Sequence, residues 1–181
     1  LDSQQVFPDG ISRLANRDLS DIVQTQIIND IRNLYDSTWT RRQLMNANYS
    51  ESPRPHFPSM LLELLSHQNF YELKFELDPR YRFDVSRSIY KGMLKFLSSQ
   101  YGLEYVVQPL PPNNFSAELN SNGEASLSWK AQIDSLESTA NADKFILYTR
   151  EDEGGFDNGK LVESNKIKLN NLKPGTIYSY K

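Results

Sequence analysis

The chain has 181 residues, a formal net charge of -3 and a composition that is 38% hydrophobic and 24% charged. Such a chain can bury a core, unlike the weakly hydrophobic and highly charged chains of disordered proteins. The slightly acidic balance gives no reason to expect a nucleic acid partner, which requires a basic face. Because there is no cysteine, disulfide frameworks, thiolate zinc sites and cysteine nucleophiles are excluded. No apolar run approaches the roughly 20 residues that span a bilayer.

A proline-rich segment divides the chain. Pro109, Pro111 and Pro112 fall within four positions, and such spacing favours extended, poorly helical chain. We predict a linker at 107–112 between a first region, 1–106, and a second region, 113–181. Apolar residues recur at helical spacing before the linker and at strand spacing after it.

The first region is predicted to form a helix, a strand and a helix. Apolar residues spaced by three and four between Leu19 and Tyr35 predict a helix over about 18–36. The nearly continuous apolar run Pro58–Leu64 suits a central parallel strand that is buried on both faces. Asp78 and Pro79 are a favourable helix start, and Gly102 a favourable stop. This order predicts a partial α/β domain, a mostly parallel sheet with flanking helices.

The second region is predicted to be an all-β sandwich. Short alternating runs separated by turn residues predict strands at 125–129, 144–149 and 166–169, followed by the run 172–178. Asn158 and Gly159 indicate a tight turn in a hairpin loop over 150–159. The large aromatic residues Trp129 and Tyr148 are expected in the core.

This second region resembles a fibronectin type III domain. Four features carry the resemblance: the entry at Pro112, Trp129 at the end of the second strand, Tyr148 in the third, and Leu172-x-Pro174-Gly175-Thr176-x-Tyr178, which is similar to the tyrosine corner of that family. The resemblance implies an immunoglobulin-like sandwich that is truncated within its sixth strand. In that family the domain binds partners or acts as a spacer.

The first region resembles the C-terminal part of the catalytic domain of bacterial zinc-dependent N-acetylmuramoyl-L-alanine amidases. The matching motif is Pro58-Ser59-Met60-Leu61-Leu62-Glu63, followed at family-like spacing by Asn69 and Glu72. The resemblance implies that Glu63 is the catalytic acid and base. The sequence departs from the family pattern after Glu63, where Leu65-Ser66-His67-Gln68-Asn69 replaces the usual Gly-Phe-x-Ser-Asn.

The same resemblance implies a cofactor, a partner and a location. The zinc ligands, two His and a Glu, are expected upstream of Leu1, so zinc is expected in the full-length parent and not in this fragment, which is expected to be inactive alone. The implied partner is peptidoglycan or another cell-envelope glycan. Neither a nucleic acid partner nor a transmembrane segment is expected for this fragment. The implied location is the cell envelope, periplasmic or secreted.

Each candidate site residue has a plainer alternative. A carboxylate that closes an apolar strand is costly to bury unless it is paired, solvated or used, so Glu63 is either catalytic or ion-paired with Arg41, Arg42 or a neighbouring helix. His67 lies on the rim of the cleft, touching substrate or orienting Glu63, or is an ordinary surface histidine. Similarly, Arg41, Arg42 and Arg54 either receive carboxylates of a peptide stem or are only solvated charges at the strand edge.

Three functions are therefore open from the sequence. The first is a peptidoglycan hydrolase that cleaves the amide bond between the muramic acid lactyl group and L-alanine. The second is a non-catalytic glycan-binding or adhesion protein with a degenerate amidase scaffold. The third is an enzyme that acts on another polysaccharide or amide, because a fold does not fix a substrate.

Overall fold

A computed structural model describes residues 5–47, 49–51, 53–120 and 123–181. The chain divides into two compact units, residues 1–105 and 106–181. The first is helical and the second is built from strands. Within the described residues, no helix has the length and apolar character needed to cross a bilayer.

The helical unit contains α1 (Ala15–Leu34), α2 (Phe70–Glu76) and α3 (Pro79–Tyr101). The first predicted helix is confirmed, with its start three residues earlier. The predicted bounds of α3 are also confirmed. The Asp78 side chain accepts a hydrogen bond from the Arg80 N–H, and Gly102 ends the helix in the left-handed conformation at φ 65°, as the cap rules require.

The core of this unit lies between α1 and α3. Its buried side chains include Val23, Ile27 and Ile31 from α1 and Val85 and Phe96 from α3. The two helices approach closely at one point, where a Cβ added to Gly92 would lie 2.8 Å from the Val23 Cα. Only a residue without a side chain fits that crossing.

A buried polar network also joins α1 to α3. The Lys91 ammonium lies 2.7 Å from the Asp30 carboxylate, and both side chains are less than a tenth exposed. Ser88 donates its hydroxyl hydrogen to Asp30 at 2.7 Å, and the amide of Gln26 donates to the other carboxylate oxygen at 3.0 Å. Asp30 thus has the partners that a buried charge requires.

The predicted central strand is wrong. No strand covers 58–64, and the unit has only an isolated antiparallel bridge, Val6 with Ser12, among its described residues. An apolar run becomes a strand only when another strand satisfies its N–H and C=O groups. The run is instead half-buried on the helices through Met60 and Leu62. The mostly parallel sheet is therefore also absent from the described residues.

The described residues of the second unit form seven strands in three antiparallel sheets. The strands are β1 (Leu110–Leu119), β2 (Ala125–Gln132), β3 (Phe145–Leu147), β4 (Thr149–Glu151), β5 (Lys160–Val162), β6 (Lys166–Leu169) and β7 (Tyr178–Tyr180). The largest sheet has the order β1-β2-β6, and the other two sheets are the pairs β3-β5 and β4-β7.

The predicted linker is wrong for residues 110–112, which lie in β1. Proline is tolerated there because β1 is an edge strand that pairs only with β2. The pairing register also shifts between Leu110 and Asn113 and again between Asn113 and Ser116. Such irregularities are where a strand can hold residues that cannot donate to the ladder.

The core of the β unit forms around Trp129, which is 5% exposed, with Leu127, Leu147 and Val162. Tyr148, also predicted in the core, is only half-buried because it lies at the break between β3 and β4. The loop after it returns the chain to β5, which pairs with β3, and Gly159 adopts φ 78°. The other predicted turn residue, Asn158, has no positive φ.

Tyr178 makes the hydrogen bond that defines a tyrosine corner. Its hydroxyl oxygen accepts from the backbone N–H of Lys173, five residues upstream, at 3.0 Å. Nearby, the Lys173 ammonium lies 2.6 Å from the Glu151 carboxylate. The turn before β7 is therefore held to β7 by the Tyr178 hydroxyl and to β4 by the Glu151 carboxylate.

Candidate functional site

Glu63 is presented by a segment whose side chains alternate between the helices and solvent. Met60, Leu62 and Leu65 pack on the helical core, whereas Leu61 and Glu63 are exposed. Alternation of this kind is typical of an extended chain with one face covered. Burial of its apolar neighbours therefore fixes the outward direction of Glu63.

The start of the same segment is held by hydrogen bonds. The Ser59 N–H donates to the side-chain oxygen of Asn16 on α1 at 3.0 Å, and the Ser59 hydroxyl donates to the Glu51 carbonyl at 2.7 Å. These contacts fix the register of the chain four residues before Glu63.

The Glu63 carboxylate has no hydrogen bond and no ion pair with any described residue. Arg41, one of the partners considered above, is paired with Asp21. Arg42 makes no ion pair or hydrogen bond within the described part of the chain, although it lies beside the same two grooves as Glu63. The contacts of the described residues thus give no structural ion pair to Glu63.

Glu63 lies between two grooves of the helical unit. The first, here called the aromatic groove, has a volume of about 850 Å³, and Trp39, Tyr71 and Tyr81 contribute rings to its walls. His67 lines it too, together with the amide side chains of Gln68 and Asn69. Aromatic faces combined with amide groups suit a ligand that has both apolar and hydrogen-bonding surfaces.

The second, here called the arginine groove, has a volume of about 670 Å³. It lies over α1 between residues 42–47 and residues 59–63. Three arginines, Arg13, Arg17 and Arg42, contribute to its lining, and of the described lining residues Glu63 alone is acidic. The two grooves meet at Gln24, Arg42, Leu62 and Glu63, which line both.

A hydrogen-bonded cluster shapes one wall of the aromatic groove. The Asp36 carboxylate accepts from the hydroxyl and N–H of Thr38 and from the Tyr71 hydroxyl. The Thr38 hydroxyl bond is the main cause that lowers the pKa of Asp36, and the bond to Asp36 raises the pKa of Tyr71. Burial raises the pKa of Tyr81 to about 12. At neutral pH this wall therefore presents the ionised carboxylate of Asp36 beside the protonated hydroxyl groups of Tyr71 and Tyr81.

The short helix α2 fixes the loop that carries His67. Asn69 is its N-cap, with a side chain that accepts from the Tyr71 N–H at 3.0 Å, and Glu72 accepts from the Ser66 N–H at 2.7 Å. Asn69 therefore caps α2, and Glu72 ties the helix to the loop before it. His67 lies in the loop before Asn69, is exposed and lines the aromatic groove, without a described hydrogen bond to Glu63.

The other candidate residues are dispersed. His56 is an exposed loop residue, and Arg54 lines neither groove. Sequence reasoning missed Arg17, Trp39 and Tyr71. In the sequence, Arg17 is an ordinary charged residue near the start of a helix. Trp39 and Tyr71 are 32 positions apart, so no local pattern indicates that they line the same groove. Only Asn69 followed by Glu72, typical of a helix start, could have predicted α2 and with it the position of Tyr71.

The zinc implied by the resemblance can be compared with the side chains present. Within the described residues, no three His, Asp or Glu side chains are grouped so that they could hold a metal ion. These residues therefore do not fit a complete zinc site by themselves, and no step below is routed through the metal.

Comparisons with known proteins add no family. No protein-family model matches the chain, and no curated protein is significantly similar to it. Function is therefore inferred from the residues of the chain itself.

Proposed function

We propose that this chain is part of a cell-wall amidase that hydrolyses the bond between the muramic acid lactyl group and L-alanine, with Glu63 as its general base and acid. The observation that carries the proposal is the exposed, unpaired carboxylate of Glu63 where two grooves of different character meet. The amidase-like motif that ends in Glu63 supports the choice of reaction. The tyrosine corner supports the fibronectin type III resemblance of the second unit.

The chemical role of Glu63 follows from its position. A carboxylate that is solvated and free of cations can take a proton from a water molecule as that water attacks the amide carbonyl carbon. The same proton then passes to the amide nitrogen as the C–N bond breaks. Water thus supplies the hydroxyl of the new lactyl carboxylic acid and a hydrogen of the released amine.

The test is Glu63→Gln in the full-length protein that carries this chain. Glutamine keeps the shape of the side chain and removes its basicity, so release of stem peptide from purified sacculi should fall by at least ~100-fold. Zinc content and the melting temperature should stay nearly unchanged, because Glu63 has no described partner to lose. The matched control is Glu76→Gln on α2, which removes an exposed carboxylate that lines neither groove and should leave the rate unchanged.

Two outcomes would contradict the proposal. An active Glu63→Gln enzyme would remove the catalytic role. An unstable variant, with activity lost in proportion to folded protein, would instead show that Glu63 is structural, since replacing an exposed carboxylate that has no partner should cost little stability.

A further inference from the structure

The arginine groove differs from the aromatic groove in charge. Its described lining has three guanidinium groups and the single carboxylate of Glu63, whereas the aromatic groove is lined by three carboxylates, Asp36, Glu63 and Glu72, and by one guanidinium group, that of Arg42. A ligand with acidic groups is therefore attracted to one side of Glu63 and repelled from the other.

Two of these arginines have free guanidinium groups. Arg17 and Arg42 are exposed, and within the described residues neither makes an ion pair or a side-chain hydrogen bond. The guanidinium fork matches a carboxylate in geometry.

The backbone beside the groove is also unpaired. Residues 42–47 and 60–63 make no backbone hydrogen bond to any other described residue, although Met60 and Leu62 are half-buried. Backbone N–H and C=O groups of this kind are the ones that an added peptide can pair with.

We propose that the arginine groove holds a short, extended, acidic peptide, with its carboxylates on Arg17 and Arg42 and its backbone paired to residues 60–63. The inference rests on the proposed function, because this peptide is the amine side of the scissile amide. It places the peptide in the arginine groove and leaves the aromatic groove for the uncharged sugar. Charge thereby orients the substrate so that the amide bond lies at Glu63.

The test measures peptide binding without any need for hydrolysis. N-acetyl-alanyl-glutamate and its neutral counterpart, N-acetyl-alanyl-glutamine amide, are titrated into this chain and followed by backbone amide NMR shifts. The acidic peptide should bind at least ~10-fold more tightly, shift the amides of 42–47 and 60–63, and lose its advantage at high salt.

Variants separate the guanidinium groups from general surface charge. Arg42→Gln and Arg17→Gln should each weaken binding of the acidic peptide by ~5-fold or more and leave that of the neutral peptide unchanged. Arg54→Gln, which removes the same charge outside both grooves, is the matched control and should change neither. Equal affinities for the two peptides, or equal losses in all three variants, would overturn the proposal.

Other occupants would give other results. A concentration-dependent dimer in sedimentation experiments, with protection of amides 60–63 and no response to either peptide, would show that a second copy covers the groove, and would overturn the proposal.

Glu63→Gln should retain peptide binding. Peptide binding with an active Glu63→Gln enzyme would refute only the proposed function, whereas absent peptide binding with an inactive Glu63→Gln enzyme would refute only the groove assignment.

Discussion

The two units of this chain differ in how their backbone groups form hydrogen bonds and in where their ion pairs lie. In the helical unit the backbone is satisfied within each helix, and a buried ion pair, Asp30 with Lys91, is placed between α1 and α3. In the β unit the backbone is satisfied between strands far apart in sequence, as β1-β2-β6 illustrates, and its ion pairs, such as Lys144 with Glu163, are at the surface.

This difference bears on where function is found. In the helical unit, residues 42–47 and 60–63 make no backbone hydrogen bond to any other described residue, and the Glu63 carboxylate projects from the second of these segments. Each strand in the described part of the β unit is paired with another, and the packing around Trp129 and the corner at Tyr178 are structural contacts. The candidate site therefore lies beside segments of the helical unit whose backbone groups have no partner among the described residues.

The largest expected effect tests the contrast in ion pairs. Lys91→Met nearly preserves side-chain volume but leaves the Asp30 carboxylate buried without its cation, so the free energy of unfolding of the helical unit should fall by about 3–5 kcal/mol. Chemical denaturation followed by circular dichroism at 222 nm reports this unit. Trp129 fluorescence in a Trp39→Phe background reports the β unit, which should be unchanged.

The matched control is Lys144→Met in the β unit. The ammonium of Lys144 lies 3.7 Å from the Glu163 carboxylate, and both side chains are more than half exposed, so the loss should stay within about 0–1 kcal/mol. If the two variants lose similar amounts, the described difference between a buried and a surface ion pair has no energetic meaning here.

The same contrast explains how much could be predicted from sequence. The ends of α3 follow from Asp78, Pro79 and Gly102, since capping is local and each cap residue acts within one turn. Pro58–Leu64 was predicted wrongly because a strand depends on a partner elsewhere in the chain. In the β unit, β6 was predicted at its observed bounds, whereas the prolines of β1 concealed an edge strand. Glu63 was singled out by the amidase-like motif, but its expected place at the end of a buried strand was wrong. The grooves beside it were not predictable, because residues from α1, the loop after it and α2 line them.

The second prediction tests the close contact between α1 and α3. Gly92→Ala would normally stabilise a helix by about 1 kcal/mol, but the added methyl would lie 2.8 Å from the Val23 Cα. Overpacking should outweigh propensity, and the helical unit should lose about 1–3 kcal/mol. Gly155→Ala in the β unit is the control, because an added Cβ there meets no atom within 4 Å. A stabilised Gly92→Ala variant would mean that the helices separate easily at this point.

The smallest expected effect tests the corner that fixes β7. Tyr178→Phe removes the hydroxyl that accepts from the Lys173 N–H at 3.0 Å and leaves the ring in place. A neutral hydrogen bond contributes about 0.5–1.5 kcal/mol net, and the cost should lie at the lower end of this range because the freed N–H is exposed and can bond to water. The fluorescence of Trp129 should therefore report a loss of roughly 0.5–1 kcal/mol in the β unit, with the helical unit unchanged.

Tyr101→Phe is the control in α3, where the hydroxyl has no described partner and the change should cost nothing. If Tyr178→Phe were equally neutral, the turn before β7 would be held by Lys173 and Glu151 or by packing, and the corner would be a consequence of the fold and not a source of its stability.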